Sequence, residues 1–332
     1  MVKIVVDPGY GFLKAATNDR TLMVPSGMQA YSHEDELLSA MQRSQNIIPL
    51  FFKEGKYVSI GEFMPQSVEE AKWTDKEEIT AAVAGGVYKL LFDDVDVDVN
   101  NVEDMLNQLK TNNYDVVVLA PVEMAKNAVK LEGMLDLVSW HKQWYYLIPQ
   151  SRYQTVKVTL PEGVAMNVRV MPQPMGSALY FQEQVQASGK MGAVVVDIGL
   201  GTVDVMSFLM VDNVEPEWDR KIIQDYDILS GNILEQMLVE DTGYDIKLVR
   251  VLASRGKLQF SDKKKKHIKN RIMSLIEPYL NLRGMYALII SGGGGALLSM
   301  TYSNIVEELT KEWETVFIAP SPTVNVEGWF VK

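Results

Sequence analysis

One short loop occurs in both halves of the chain. Ile4-Val5-Val6-Asp7-Pro8-Gly9-Tyr10-Gly11 returns as Val194-Val195-Val196-Asp197-Ile198-Gly199-Leu200-Gly201. Each copy is an apolar β-branched run ending in Asp, then two alternate glycines, then another strand-like run. This pattern reads as a tight hairpin between buried strands. Gly9, Gly11, Gly199 and Gly201 leave no side chain in the way, so backbone N–H groups can converge on an anion. A carboxylate beside such a nest repels an anion unless a divalent cation lies between them. The repeat therefore predicts two hairpins that grip a polyphosphate from both sides, with Asp7 and Asp197 next to a metal ion.

The 332 residues suffice for two domains with separate cores, at 47% hydrophobic and 23% charged residues. Cysteine is absent, which excludes disulfides and thiolate metal sites and fits a reducing cytoplasm. Met1 runs straight into the strand-forming Val2-Lys3-Ile4-Val5-Val6, so no signal peptide is expected. No apolar run approaches the roughly 20 residues of a membrane-spanning helix, and no membrane partner is expected. The net charge of −11 argues against direct DNA binding, which depends on Lys and Arg neutralising phosphates. The one basic run, Lys263-Lys264-Lys265-Lys266, reads as a solvated helix start.

Residues 2–6, 11–17 and 21–25 read as a meander of three strands, and residues 30–75 as an irregular insertion or small subdomain. Apolar spacing predicts a helix from Thr80 to Phe92, with a turn-rich acidic stretch Asp93–Asn100 after it. A helix over about 101–112 then leads into a buried strand at Val116–Leu119. Another helix is expected at Asn127–Val138, strands at Thr155–Leu160 and Val164–Met171, and a helix at 175–187. The second half repeats this order: a hairpin over 193–212, a helical insertion, a strand at Tyr286–Ser291 and a helix over about 295–313. The expected division is a first domain over 1–182 with an insertion at about 30–78, and a second over 183–314 with a helical insertion at about 226–283. The segment 315–332 is expected to pack back on the first domain.

Lys14 leaves the first hairpin where Asp204 leaves the second. A lysine there can meet a phosphate as a point charge or simply end a strand at the surface. Asp204 shares a strand face with Thr202 and either bonds the loop or attends a metal. A buried strand runs into Ser291-Gly292-Gly293-Gly294-Gly295-Ala296-Leu297, which puts bare backbone at a helix N-terminus where an anion or a flat ring can lie. A hinge would also use glycines. Gln173, held between Pro172 and Pro174, can orient a water molecule although it is a poor base; helix capping is the plain alternative. The three histidines are scattered without metal spacing. Trp140, Trp144, Tyr145 and Tyr146 read as domain packing rather than a stacking platform.

Together Asp7-x-Gly-x-Gly-x-x-Lys14, Gln173-Pro-Met-Gly-Ser-Ala-Leu, Asp197-x-Gly-x-Gly-Thr202-x-Asp204 and Ser291-Gly-Gly-Gly-Gly-Ala-Leu resemble an ordered set. They are similar to the first phosphate, first connect, second phosphate and adenosine motifs of the actin-like ATPase superfamily. The compact insertions and the terminal Asn325-Val326-Glu327-Gly328-Trp329 most resemble ParM-type plasmid-segregation actins and small archaeal actin-like proteins. The resemblance implies an α/β, two-lobed actin-like fold, ribonuclease H-like and duplicated, with a nucleotide cleft between the lobes. It implies ATP or ADP with Mg²⁺ held by Asp7 and Asp197, largely through water. Gly9, Tyr10, Gly11, Lys14, Gly199, Leu200, Gly201, Thr202 and Asp204 would meet the phosphates, and Gln173 would place the hydrolytic water. Gly292, Gly293 and Gly294 would back the adenosine, with Gly231 and Asn232 approaching from the second lobe. ParM-type proteins often carry Glu where this chain has Gln173, whereas actin has Gln. The implied function is a cytoplasmic ATPase that assembles head to tail into filaments and hydrolyses ATP afterwards. Plasmid or DNA segregation would then run through a DNA-binding adaptor, or the filament would serve as a cytoskeletal element. A sugar-type kinase of the same superfamily is the alternative.

Overall fold

The computed structural model describes residues 1–9, 11–44, 46–61, 76–92, 102–121, 140–151, 154–210, 217–225 and 229–331. Tyr10, the acidic stretch Asp93–Asn100 and the helix expected at Asn127–Val138 lie outside them. Met1–Ala120 with Met124–Met171 form one compact unit, and Pro172–Lys332 with Pro121–Glu123 form the other.

The first unit carries two sheets. β1 (Val2–Pro8), β2 (Phe12–Ala16) and β3 (Thr21–Pro25) form the expected meander. After it come β4 (Met28–Tyr31), β5 (Ile48–Phe52), β6 (Lys56–Ile60), β7 (Asn113–Ala120), β8 (Trp144–Ser151), β9 (Gln154–Val158) and β10 (Ala165–Pro172). The main sheet has the order β10-β7-β1-β2-β3, with β7 parallel to β1. β1 and β7 are buried along most of their length, as strands covered on both faces must be.

The described part of 30–75 has the short strand expected at Tyr57–Ile60, as β6, and is more regular than the rest of its pattern predicts. It contributes β5 and β6 to a second sheet of order β4-β6-β5-β8-β9, all its pairs antiparallel, with the helix Glu34–Arg43 between β4 and β5 in the chain. Two of its strands come from about a hundred residues further along the chain, which is why local periodicity could not show the sheet. The aromatic stretch forms its wall: Trp140 and Trp144 are fully buried, and the Tyr88 hydroxyl donates to the Trp144 carbonyl at 2.9 Å. One helix, Lys76–Phe92, serves both sheets. A methyl group on Gly86 would stand 3.0 Å from Val6, and one on Gly85 would stand 3.2 Å from Ile48. The missing side chains let the helix lie close on both surfaces.

The second unit repeats the main sheet. β11 (Gly192–Ile198), β12 (Val203–Leu209), β13 (Glu217–Asp225), β14 (Tyr286–Ser291) and β15 (Val316–Ile318) stand in the order β13-β12-β11-β14-β15. Again a meander is followed by a parallel partner, here β14 against β11. Helices Gly231–Thr242, Ile246–Ala253 and Asp262–Ile276 form its insertion and share a core with the sheet that includes Leu234, Val249, Ile272 and Trp313.

Several helix boundaries differ from the periodicity; the helix expected from Thr80 starts at Lys76. The helix expected at 175–187 is two, Gln173–Tyr180 and Gln182–Ala187, broken at Phe181, whose ring stacks on Phe317. The helix expected from 295 starts inside the glycines, at Gly292, and ends at Thr301; a separate helix follows at Ile305–Thr310. Glycine is a poor helix former, so propensity points away from a start that tertiary packing imposes. The last helix, Val324–Glu327, packs on Gln173–Tyr180. Both group with the second unit.

Candidate functional site

In the first hairpin, Asp7 ends β1 and Lys14 stands directly opposite on β2. The Lys14 ammonium lies 2.8 Å from Asp7 Oδ2, and both side chains are buried. A methyl group on Gly9 would fall 2.9 Å from the Phe12 carbonyl oxygen, so only glycine lets the chain reverse there. The Ser26 amide donates to the Gly11 carbonyl at 3.0 Å, tying the hairpin to the strand beside it.

The second hairpin has the same frame with a different charge. Asp197 ends β11 and faces Asp204 across the antiparallel pair, in the register where the first hairpin sets Asp7 against Lys14. The Gly199 amide donates to the Thr202 carbonyl at 2.8 Å and closes the turn. Gly231 and Asn232, at the start of their helix, donate their amides to the Gly199 and Leu200 carbonyls at 2.7 and 2.9 Å. Those two N–H groups therefore hold the loop in place. Thr202 and Asp204 are buried, whereas Gly199 and Leu200 are partly open.

Asp197 is 4% exposed, and neutral donors hold its two oxygens. The Ser291 hydroxyl, from the parallel strand beside it, donates to Oδ1 at 3.1 Å. The Asn325 amide, from the last helix, donates to Oδ2 at 3.0 Å. Both contacts come from neutral side chains, one on the neighbouring strand and one on the last helix. With Asp204 opposite, negative charge gathers at this hairpin. Oxygen donors in that arrangement suit a hydrated divalent cation such as Mg²⁺, which keeps several of its waters. Among the described residues no three metal-ligating side chains converge. Asp7, already ion-paired, fits that role less well while Lys14 stays where it is.

The glycine run divides by position. Gly292 has φ +76°, and a methyl group there would stand 2.4 Å from Asp197 Oδ1 and 2.5 Å from the Ile198 carbonyl. At Gly294 it would meet the Ile198 side chain at 2.2 Å. Only Gly293 of the three predicted residues faces open space. So Gly292 and Gly294 let the helix start press against the end of β11, and Gly293 is left as bare backbone on the outside. Gln173 opens its helix, directly after the N-cap Pro172, and is 9% exposed.

Ser177 and Ser291 lie within the quoted motifs, but the motifs do not show that Ser291 bonds Asp197 or that Ser177 bonds Asn325. Asn325 had a usable signal, an amide side chain among apolar neighbours in a short C-terminal helix. Its partner, though, lies 128 positions away.

No family model matches the chain, and no curated protein is similar to it in sequence. Its structure is similar to known ones over nearly its whole length. A ParM from Clostridium botulinum, solved as a 15-stranded filament, shares 17% identity, with 99% of this chain and 97% of that one covered at a TM-score of 0.60. An archaeal actin homologue, Ta0583, solved in complex with ADP, shares 17% over 99% and 98% at 0.56. The Alp12 filament subunit shares 12% over 99% and 97% at 0.56. Likeness at such identities speaks for fold and not for activity. With its repeated meander sheets and full-length match to these proteins, the chain has the two-lobed α/β fold of actin-like proteins.

Proposed function

We propose that the chain is an actin-like ATPase that assembles into filaments with ATP and hydrolyses it after assembly. The observation that carries this reading is the second hairpin: a buried carboxylate held by neutral donors, facing another carboxylate, where a glycine turn meets a helix N-terminus. That arrangement calls for a cation and a polyphosphate. The likeness to filament subunits, and to a homologue bound to ADP, supports the choice of nucleotide and of self-assembly.

In this reading Asp197 orients Mg²⁺ through water, with Asp204 adding to the local field and Asp7 serving the first hairpin. Mg²⁺ supplies neutralisation of the β- and γ-phosphates. Lys14 exchanges Asp7 for phosphate charge, the hairpin backbones around Gly9, Gly11, Gly199 and Gly201 cradle phosphate oxygens, and Gly293 backs the nucleoside. Gln173 orients the attacking water through its side-chain carbonyl. Heterologous contacts between copies build open filaments. The filament would serve DNA or plasmid segregation in the cytoplasm, and the net charge of −11 means that any contact with DNA would run through a DNA-binding adaptor.

Light scattering with ATP, ADP and a non-hydrolysable ATP analogue tests the proposal. Assembly is expected with ATP and the analogue, and disassembly as ATP is consumed. No assembly at high protein concentration, together with sugar-stimulated turnover, would refute it in favour of a kinase. Gln173→Ala is expected to slow phosphate release about 100-fold and lengthen filament lifetime while leaving assembly intact. Loss of nucleotide affinity in that variant would instead make Gln173 a binding residue.

A further inference from the structure

Asn325 lies in none of the loops to which the nucleotide is assigned, yet its side chain ends on Asp197. The Asn325 amide nitrogen donates to Asp197 Oδ2 at 3.0 Å, and the Ser177 hydroxyl donates to the Asn325 amide oxygen. All three side chains are buried. A carboxylate only accepts and a hydroxyl can donate, so the amide has one sense in this chain, nitrogen toward Asp197 and oxygen toward Ser177.

The backbone around this contact has no slack. A methyl group on Gly176 would fall 1.7 Å from the Asn325 carbonyl oxygen, and one on Gly328 would fall 1.9 Å from the Gly176 carbonyl oxygen. The last helix and the helix Gln173–Tyr180 thus touch backbone to backbone at two glycines. Asn325 cannot shift without moving Ser177. Ser177 lies one turn after Gln173 on that helix, and residues four apart share a face.

We infer that Asn325 is a positioning residue for the metal-orienting carboxylate Asp197. Resting on the nucleotide reading above, the inference joins three elements in one buried hydrogen-bond chain: the second hairpin, the C-terminal helix, and the helix that carries Gln173. Asn is the side chain the place requires. Asp has the same shape but offers no donor and sets a third carboxylate beside Asp197 and Asp204. Ala leaves both Asp197 Oδ2 and the Ser177 hydroxyl short of a partner.

The decisive measurement is the affinity of a fluorescent ATP analogue with Mg²⁺ and with EDTA, on the full chain. Partners that orient a metal ligand typically change metal affinity 10- to 100-fold. Asn325→Asp should reduce the Mg²⁺-dependent gain in affinity by about that factor and leave metal-free affinity within about threefold. Ser177→Ala, which removes only the hydroxyl, should act in the same direction by a few-fold, and it keeps the test sound if Asn325→Asp folds poorly. In the nucleotide-free protein, amide hydrogen exchange of the 198–202 turn should quicken about tenfold in Asn325→Asp, as expected from losing one hydrogen bond to a charged group. An equal loss with and without Mg²⁺ would make Asn325 a packing residue and overturn the inference. Unchanged Mg²⁺ dependence in both variants would overturn it as well, while leaving the nucleotide reading intact. A wild-type chain with no Mg²⁺-dependent gain would sink the nucleotide reading, and the inference with it.

Discussion

The two hairpins share a backbone and differ in what stands across from the aspartate. In the first, the partner is Lys14, and a buried ion pair closes at 2.8 Å. In the second, the partner position holds Asp204, and the aspartate leans on Ser291 and Asn325. The position across from the aspartate holds a lysine in one copy and an aspartate in the other. The first hairpin sets an ammonium across from its aspartate, whereas the second sets another carboxylate there. The same hairpin geometry thus occurs twice with a different side chain across from its aspartate.

The sharpest way to break this contrast is Lys14→Met. Removing one partner of a buried pair leaves a buried charge uncompensated, which costs about 3–5 kcal/mol. Urea unfolding of the nucleotide-free chain should show a loss of that size. A loss under about 1 kcal/mol would mean that Asp7 is not dependent on Lys14, and the contrast would fail on its first side. The next effect belongs to the second hairpin. Gly292→Ala forces a side chain into a left-handed backbone and drives its methyl group into Asp197 Oδ1, costing about 2–4 kcal/mol. Gly293→Ala next to it meets nothing within 4 Å and should be neutral to slightly stabilising. If the two variants melted alike, the close approach of the helix start to Asp197 would be wrong.

How much of this was legible in the sequence depended on how local the cause was. The meander strands and both hairpins follow from β-branched runs and glycines a few residues apart, so β1–β3, β11 and β12 stand close to where the pattern put them. Lys14 and Asp204 sit at matching registers because each follows its aspartate by the same interval. The small sheet was out of reach because β5 pairs with β8, which lies far along the chain. Asn325 was out of reach for the same reason, since no local rule connects a C-terminal amide to a strand-end carboxylate. The helix start at Gly292 contradicts propensity, and the close approach to Asp197 and Ile198 accounts for it.

The smallest expected effect discriminates best, because its sign differs between the hairpins. Like charges directly opposite each other on neighbouring strands are destabilising by roughly 0.2–1 kcal/mol. Asp204→Asn removes one of them and keeps the shape of the side chain. The nucleotide-free protein should gain up to about 1 kcal/mol in urea unfolding, where Lys14→Met loses several. The same variant should weaken Mg²⁺-nucleotide binding, since the field that favours the cation falls. A stability loss in Asp204→Asn would mean that Asp204 serves as a structural hydrogen-bond acceptor for the loop. Negative charge at the second hairpin would then be incidental to its packing, and the division of charge between the two copies would lose its functional meaning.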